Sequence, residues 1–570
     1  MKEKFKKYLP YIIIIAVSII ICIPLFSMNL SDYNEYRIHI GRVASIKQVI
    51  TDDNIQPLIS YKHMNGFGYA LNVFYGPITT YIPIIISFAV VSASFAIKIF
   101  TLLTVLISGL AMYKFVKHST KNNIISIISA LIYMCAPYKL TDIYSRNAVG
   151  EYTAFIFIPI LFDGLYKLLN GENKDKKLLI IGIVGLILSH TITTIYTAIF
   201  AIVYIAINYK KFFEKEKIKK AAISILISLL LCLFYVAPLL EYKLFTNYTI
   251  FDQDRMNTYG TDVYEQSLDF KGFFENELSK NDELITSLGC ISIALTLITI
   301  ICYKRVKKEY KQDYNVYLIF SLISLFMSSK LFPWFIMPKF LTVIQFGWRM
   351  LGFYIFFNAI ICGINVYTLM GMIKKEKIKN ILLIIVISAT ILLAVLRTDN
   401  YFETYNSNVD KNFENTIYNS ERISPYQINR DYMPLKAINN ISYLKERDNR
   451  TYILDGEADI IEENKEKLND IIKIDNVENA TIELPFLYYP GYEVTLNGKQ
   501  INIFESDNGF IALNVQESGT IEIKYKGTIL EKIAYKVSET TLILLCIYLF
   551  IKKIRNKSIE QMVKKNKTEL

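Results

Sequence analysis

Residues 9–26 read LPYIIIIAVSIIICIPLF, a stretch of 18 residues without a charged side chain. An apolar stretch of this length is what an α-helix needs to cross the hydrocarbon core of a bilayer. It follows the basic head MKEKFKK, and no small-residue cleavage motif comes after it, so we predict an uncleaved first span. Similar runs recur along the chain, which is 52% hydrophobic with a mean hydropathy of +0.30. The sequence therefore predicts an α-helical polytopic membrane protein.

Basic residues are concentrated in short clusters between the apolar runs, and the 570-residue chain has a formal net charge of +11. The positive-inside rule places such clusters, and with them both termini, in the cytoplasm. The clusters lie at 114–121, 174–177, 210–220, 304–311, 374–379 and 552–567. They are typical of topology determinants, and no nucleic-acid partner is predicted.

The alternation of these clusters predicts about twelve membrane spans. The predicted spans are 9–27, 94–115, 123–138, 150–168, 178–191, 192–208, 221–239, 285–303, 315–331, 347–370, 380–396 and 532–552. A further apolar stretch, 78–91, is predicted to lie at the outer surface or to dip partway into the bilayer, with a full span as the alternative. The predicted domains are a transmembrane domain over 1–396 with an outer loop at 28–93, an extracytoplasmic domain over 397–531, and a final transmembrane helix with a basic cytoplasmic tail over 532–570.

The extracytoplasmic segment is net acidic, and its second half alternates between apolar and polar residues. This pattern predicts strands at 480–488, 492–496, 501–504, 510–515 and 520–525. Two Asn-Gly pairs, at 497–498 and 508–509, are hairpin signals between these runs. We therefore predict a small antiparallel β-sandwich.

The seven cysteines all lie in or beside apolar runs, at spacings that match no zinc or redox motif. They are interpreted as small apolar fillers. No cofactor is predicted, and the need for a divalent metal stays open.

The densest cluster of ionisable side chains directly follows the first span, in the stretch LSDYNEYRIHIGRV at 30–43. Two carboxylates three residues apart would share one helical face, and a carboxylate in a partly dry site near cations can act as a general base. The alternative is a solvated loop that caps a helix. The ionisable residues are Asp32, Glu35, Arg37, His39 and Arg42.

Four further sets of residues lie at predicted outer ends of spans or in outer loops. An arginine at such a position can hold a phosphate, and an aromatic ring can lie against a cation or a sugar. In the order in which the sets are given below, the alternatives are an aromatic belt, a local ion pair, a packed histidine and an interfacial anchor. Because all four sets map to the same side and depth as the charged stretch, we predict one shared substrate-binding cavity. The sets are Tyr69 and Tyr75, Arg146 and Glu151, His190, and Trp348 with Arg349.

These motifs, in this order, resemble those of bacterial polytopic proteins in the GT-C glycosyltransferase superfamily. The similarity is to the YfhO-like group and to a related group labelled 6-pyruvoyl-tetrahydropterin synthase-related membrane proteins, and it covers nearly the whole chain. The motifs are Glu35-x3-His39-x2-Arg42, Gly68-Tyr69, Phe74-Tyr-Gly-Pro77, Pro137-Tyr138, Arg146, Gly150-Glu151, Ser189-His190, Phe346-Gly-Trp348-Arg349, Tyr489-Pro-Gly-Tyr492 and Asn497-Gly498.

The resemblance implies a GT-C-like transmembrane domain in the bacterial cell membrane, with its active face outside the cytoplasm. It also implies transfer of a sugar from a polyprenyl-phosphate donor to a glycan or polymer acceptor of the cell envelope. The catalytic base would be Asp32 or Glu35. Both stay candidates, because the register set by His39 puts Glu35 where an aspartate is common.

In this hypothesis Arg146, Arg349 and Arg42 would stabilise the departing polyprenyl phosphate. Two other functions stay open, a non-catalytic transporter of lipid-linked glycans and an envelope-assembly scaffold. Few charges fall at mid-depth in the predicted spans, which argues against proton-driven transport.

Overall fold

A computed structural model describes residues 2–28, 34–52, 58–90, 92–171, 176–274, 287–405 and 430–568. Most of these residues are helical. The helices are α1 (Lys2–Ser27), α2 (Asn34–Asp52), α3 (Leu71–Phe74), α4 (Ile78–Val90), α5 (Ala93–Thr120), α6 (Asn123–Met134), α7 (Pro137–Tyr144), α8 (Val149–Ala154), α9 (Phe157–Leu169), α10 (Lys177–Ile187), α11 (Thr191–Ile207), α12 (Tyr209–Phe212), α13 (Lys215–Phe245), α14 (Gln253–Met256), α15 (Gly260–Glu265), α16 (Cys290–Leu297), α17 (Thr299–Cys302), α18 (Lys308–Ser328), α19 (Lys339–Thr342), α20 (Leu351–Met372), α21 (Glu376–Tyr405), α22 (Leu435–Asn439), α23 (Ile441–Glu446) and α24 (Ile529–Thr568).

In the described part of the chain, seven stretches are long and apolar enough to cross a membrane. This confirms the predicted polytopic helical fold. The other predicted spans fall on α10, α11, α16 with α17, α18 and α24, so the count of twelve stays a prediction. The seven stretches are Lys7–Ser27, Ala93–Thr120, Asn123–Tyr144, Val149–Leu169, Lys215–Phe245, Gly347–Met372 and Glu376–Tyr401.

Helix α4 is too short to cross the bilayer by itself. Its 13 residues extend about 20 Å at the α-helical rise, whereas the hydrocarbon core is about 30 Å thick. The length agrees with the prediction that this stretch lies at the surface or dips partway into the bilayer.

Local signals in the sequence set the ends of the helices. Ser92 caps the start of α5 by accepting a hydrogen bond from the backbone nitrogen of Phe95 at 3.1 Å. Lys121 ends the same helix in the left-handed conformation, with φ of 54°. Asn122 then caps α6 by accepting from the backbone nitrogen of Ile124 at 2.9 Å. The tight turn between α5 and α6 therefore follows from its own residues.

Side-chain contacts show which helix ends lie together. Lys98 in the first turns of α5 donates to the carbonyl oxygen of Met28 at 2.6 Å, just past α1. At the opposite end of α5, Tyr310 near the start of α18 donates to the carbonyl oxygen of Thr120 at 3.1 Å. The end of α1, the start of α5 and the end of α18 therefore share one end of the bundle, which we call the site end.

The C-terminal part is a single seven-stranded antiparallel sheet, which confirms the predicted antiparallel domain. Strand β2 joins two arms: its first half pairs with β7, its second half pairs with β6, and β1 pairs along most of its length. All seven strands therefore belong to one hydrogen-bonded sheet, and its arrangement as a sandwich stays a prediction. The strands are β1 (Tyr452–Glu466), β2 (Asn469–Leu487), β3 (Tyr492–Leu496), β4 (Lys499–Gln500), β5 (Phe504–Glu505), β6 (Phe510–Val515) and β7 (Gly519–Tyr525).

The sheet is docked on the loop that precedes α3. Phe67 of this loop is fully buried and meets the ring of Phe510 edge-on, with 5.0 Å between ring centres. Its carbonyl oxygen accepts from the backbone nitrogen of Leu487 at 3.0 Å. Lys465 donates to the carbonyl oxygen of Gly66 at 2.8 Å. The sheet therefore packs directly on the loop that carries the candidate aromatic residues.

Candidate functional site

Helix α2 carries the ionisable cluster, apart from Asp32, which lies outside the described residues. Tyr36 fixes its first turn by donating to the carbonyl oxygen of Ile143 at 3.0 Å. This hydrogen bond holds α2 against the end of α7. Glu35, next to Tyr36, is accessible to solvent, whereas His39, one turn later, is buried.

Arg146, between α7 and α8, is the centre of a buried ion-pair network. Its Nη1 donates to Glu151 Oε2 at 2.9 Å, to the hydroxyl of Tyr138 at 3.1 Å and to the carboxylate of Asp142. Tyr138 in turn donates to Glu151 Oε1 at 2.6 Å. The local ion pair weighed as an alternative for Arg146 and Glu151 is thus present. Asp142 was missed, although it lies one helical turn before Arg146, a spacing that can reveal such a pair.

Arg349 joins this network from a distant part of the chain. Its Nε lies 3.5 Å from Glu151 Oε2, and its Nη1 donates to Gln345 Oε1 at 2.6 Å. The neighbouring Trp348 is buried, and the guanidinium of Arg146 lies 4.3 Å from the centre of its ring. This distance is within the range of a cation–π contact. Two of the predicted sets, Arg146 with Glu151 and Trp348 with Arg349, therefore meet around Glu151.

Glu35 interacts electrostatically with the same network. Desolvation by the surrounding protein raises the pKa of Glu35, and the nearby carboxylate of Glu151 raises it further, while Arg146 and Arg349 oppose the rise. Glu35 therefore presents a solvent-accessible carboxyl group that interacts with two arginines from distant parts of the chain.

Arg42 is a buried cation without a carboxylate partner among the described residues. Only 1% of its surface is exposed, and its Nη2 donates to Thr79 Oγ1 at 3.2 Å. Its guanidinium lies 3.9 Å from the ring centre of Tyr75. The ring of His39 packs against the same tyrosine at 5.4 Å, and burial and Arg42 lower the pKa of His39, so its imidazole is neutral. Arg37 is half-buried on the same helix.

Glycines allow the remaining loops to approach each other closely. A Cβ on Gly76 would lie 2.3 Å from the carbonyl oxygen of Ser189, and one on Gly150 would lie 3.2 Å from the ring of His190. The hydroxyl of Tyr75 accepts from the backbone nitrogen of Gly150 at 3.3 Å. His190 therefore lies beside the Glu151 turn, where its Nδ1 is 2.7 Å from Thr193 Oγ1 at the start of α11.

The segment that leads into the sheet completes the site. Tyr432 is buried, stacks on Phe74 with 5.1 Å between ring centres, and donates its backbone nitrogen to the hydroxyl of Tyr69 at 3.2 Å. Tyr69 therefore belongs to the junction with the C-terminal sheet domain. The neighbouring Asp431 interacts electrostatically with Glu35. Both residues of this segment were missed, because a stretch rich in tyrosine and asparagine carries no periodic signal.

The described site thus gathers residues from α2, the loop before α4, the α7–α8 and α10–α11 turns, the start of α20 and the segment before the sheet. Among the described residues, no group of three His, Cys, Asp or Glu side chains has the arrangement of a metal site. The site offers carboxylates and guanidinium groups, a combination suited to proton transfer beside a bound anion.

Comparison with known proteins identifies a family. The model of a family described as a 6-pyruvoyl-tetrahydropterin synthase related domain, a membrane protein, matches residues 73–402. An uncharacterised protein of Lactococcus lactis subsp. cremoris (strain MG1363) is 28% identical over 345 residues, which is 58% of this chain and 56% of that protein. The chain therefore spans about half the length of this curated relative. The family match covers the Arg146 and Arg349 turns, whereas α2 precedes it and the sheet follows it.

Proposed function

The chain belongs to the family of membrane proteins described as 6-pyruvoyl-tetrahydropterin synthase related, and from this premise we propose that it is a GT-C-type membrane glycosyltransferase. It would transfer a sugar from a polyprenyl-phosphate donor to a cell-envelope acceptor outside the cytoplasm. The observation that supports this proposal is the solvent-accessible carboxyl of Glu35, which interacts electrostatically with Arg146 and Arg349 from distant parts of the chain.

The balance of charge favours Arg42 as the first anchor of the donor phosphate. Arg146 and Arg349 are matched by two carboxylates, Asp142 and Glu151. Arg42 has no such match among the described residues, and its Nε lacks a hydrogen-bond partner. A buried cation without a counter-charge is unfavourable, and a phosphate would supply that charge.

Arg349 is suited to act as the second contact. Its Nε makes no hydrogen bond within the described chain, and its guanidinium is held by Gln345 on one side and by Glu151 on the other. A guanidinium fixed in this way can hold an oxyanion without large rearrangement. Arg146 is surrounded by two carboxylates and Trp348. In this arrangement it holds Glu151 and Arg349 in place.

The proposed reaction follows from these positions. The carboxylate of Glu35 accepts the proton of an acceptor hydroxyl as its oxygen forms a bond to the anomeric carbon of the sugar. The bond from that carbon to the phosphate oxygen breaks, and its electron pair leaves with the polyprenyl phosphate. Arg42 and Arg349 stabilise the charge that develops on this oxygen. Asp32, outside the described residues, is the second candidate for the base.

Glycan analysis and in vitro transfer together test the proposal. A strain without the gene should lack one envelope glycan, and the purified protein in lipid nanodiscs should cleave a polyprenyl-phosphate sugar prepared from the parent strain. Glu35→Gln or Asp32→Asn should lower the rate of transfer by about 100-fold or more, while the protein stays in the membrane. Full transfer by both single variants and by the double variant would contradict the proposal. A protein that only binds or moves the lipid-linked sugar would leave the donor intact.

A further inference from the structure

Two segments at the site end of the bundle expose an unusual number of large apolar side chains. They are 260–274, and 329–342 between α18 and α20. Monomeric proteins rarely leave such side chains clustered in water. The exposed fractions are 79% for Phe270, 52% for Phe274, 80% for Leu331, 58% for Phe335, 66% for Ile336 and 63% for Phe340.

The two segments form one structural unit. The backbone nitrogen of Leu268 donates to the carbonyl oxygen of Ser328 at 2.9 Å, and the nitrogen of Lys330 donates back to the oxygen of Leu268 at 2.8 Å. The rings of Tyr264 and Phe335 meet edge-on with 5.7 Å between their centres. We call this unit, residues 260–274 with 329–342, the apolar platform.

The platform continues the exposed apolar face of α18. Four exposed or half-buried residues of this helix, at positions 319, 322, 323 and 326, follow helical spacing and share one face. The last of them, Phe326, packs against Phe332 of the platform with 5.4 Å between ring centres. A helix face of this kind in a membrane protein contacts lipid, so the platform begins where the lipid contact of α18 ends.

Basic residues accompany the apolar side chains. Lys330 and Lys339 are both exposed, and they lie next to Leu331 and Phe340 respectively. Lysines beside exposed aromatic and aliphatic residues are typical of surfaces at the boundary between acyl chains and lipid head groups, where the ammonium group reaches the phosphates.

We propose that the apolar platform is inserted into the bilayer leaflet at the site end, with its aromatic side chains among the upper parts of the acyl chains. The apolar platform is also connected to the candidate site. Leu341 accepts a hydrogen bond from Tyr196 of α11, and Ile344 accepts from Arg349 Nη1 at 2.9 Å. The inserted edge is therefore tied to the Arg349 turn. This insertion does not depend on the proposed transfer reaction.

Quenching by brominated lipids tests the insertion directly. The full-length protein is placed in nanodiscs of phosphatidylcholine with or without bromine on the upper acyl chain. The variants Phe270→Trp and Phe340→Trp report on the platform, and Phe504→Trp, at a 39% exposed phenylalanine of the sheet, is the matched control. The two natural tryptophans, Trp334 and Trp348, are buried, and the wild type gives their background.

The fluorescence that each platform variant adds should fall in brominated lipid, because an interfacial apolar face lies at the depth of the upper acyl chains. The fluorescence that Phe504→Trp adds should not change. Quenching no greater than in the Phe504→Trp control would overturn the proposal. Protection from aqueous iodide without quenching by the lipid would also overturn it, because a protein partner or a second copy would then cover the surface. Phe335→Trp replaces either platform variant that does not fold.

Discussion

Arg42 and Arg447 are both buried arginines, but they differ in their counter-charge. Arg447 forms a fully buried ion pair with Glu483, and its guanidinium lies 4.3 Å from the ring centre of Phe510. Arg42 has only neutral contacts among the described residues. Removal of Arg447 would leave the buried charge of Glu483 without a partner. Removal of Arg42 would leave no unpaired buried charge behind.

Replacement by methionine should therefore separate a structural arginine from a functional one. We expect Arg447→Met to lower the free energy of unfolding by about 3–5 kcal/mol, because Glu483 stays buried and unpaired. Arg42→Met should change it by about 1 kcal/mol or less, the typical net value of one lost hydrogen bond, and should abolish binding of polyprenyl phosphate. Thermal unfolding in detergent and a lipid-binding assay measure the two effects. Equal destabilisation by both variants would contradict this assignment.

The rate of transfer should depend on pH through Glu35. Burial and neighbouring carboxylates raise the pKa of Glu35 above its usual 4.5, and a general base works only when it has lost its proton. The rate should therefore fall as the pH decreases through this raised pKa. Arg349→Gln removes a positive charge that favours the carboxylate, so the fall should move to higher pH, whereas Arg349→Lys should leave it nearly in place.

The control for this dependence of the rate on pH is a variant of Glu35 itself. Glu35→Gln should lower the rate by about 100-fold or more, the usual contribution of a general base, and should remove the acidic fall. A rate profile that keeps the same acidic fall in Glu35→Gln would assign the titration to another group, with Asp32 as the first candidate.

The sequence singled out most of the arginines and aromatic residues that the structure brings together in the candidate site, but not how they are paired. Arg146 was assigned to a phosphate, whereas the structure surrounds it with Asp142, Glu151 and Trp348. Helical spacing could have revealed Asp142. The contact of Arg42 with Thr79 joins α2 to α4 across a loop, and no local pattern encodes such a contact.

Among the elements, strands with one buried face were easier to predict than strands exposed on both faces. Strands β3 and β7 alternate between buried and less buried positions, and β6 is buried at all positions but Asn514. All three match the predicted ranges within a residue or two. Strand β1 was missed because most of its residues are polar and accessible on both faces. Asn497 and Gly498 both have positive φ, of 52° and 76°, which is the geometry that the hairpin signal predicts.

The contact between the turn at 188–190 and the loop before α4 should depend on Gly76. A Cβ there would meet two backbone oxygens, Ser189 O at 2.3 Å and Leu188 O at 2.7 Å, so the turn must shift. We expect Gly76→Ala to cost about 1–3 kcal/mol, as overpacking does, and to lower substrate binding. Gly371→Ala is the matched control, because a Cβ at this helical glycine meets nothing within 4 Å. Thermal unfolding of the two variants compares them, and equal stability would contradict the close contact.

At the scale of the whole molecule, the sheet and the membrane bundle share the site. The segment before α22 places Asp431 and Tyr432 beside α2, and Tyr489 of the sheet donates to the carbonyl oxygen of Tyr432 at 2.9 Å. The sheet domain therefore contacts the segment that lies beside Glu35. An acceptor glycan held by the sheet would reach Glu35 from this side.

Phe67 should hold this arrangement together, because it is fully buried between the bundle loop and the sheet. We expect Phe67→Ala to cost about 3–5 kcal/mol and to loosen the docking before the sheet itself unfolds. Hydrogen exchange should then become faster in 58–70 and 430–439, while strands β2 and β6 stay protected. Phe504→Ala, at an exposed edge of the same sheet, should leave all these rates unchanged. If the Phe67→Ala variant exchanged uniformly faster, including in β2 and β6, the sheet and the loop would form one cooperative unit, and the site could not be opened by undocking the sheet alone.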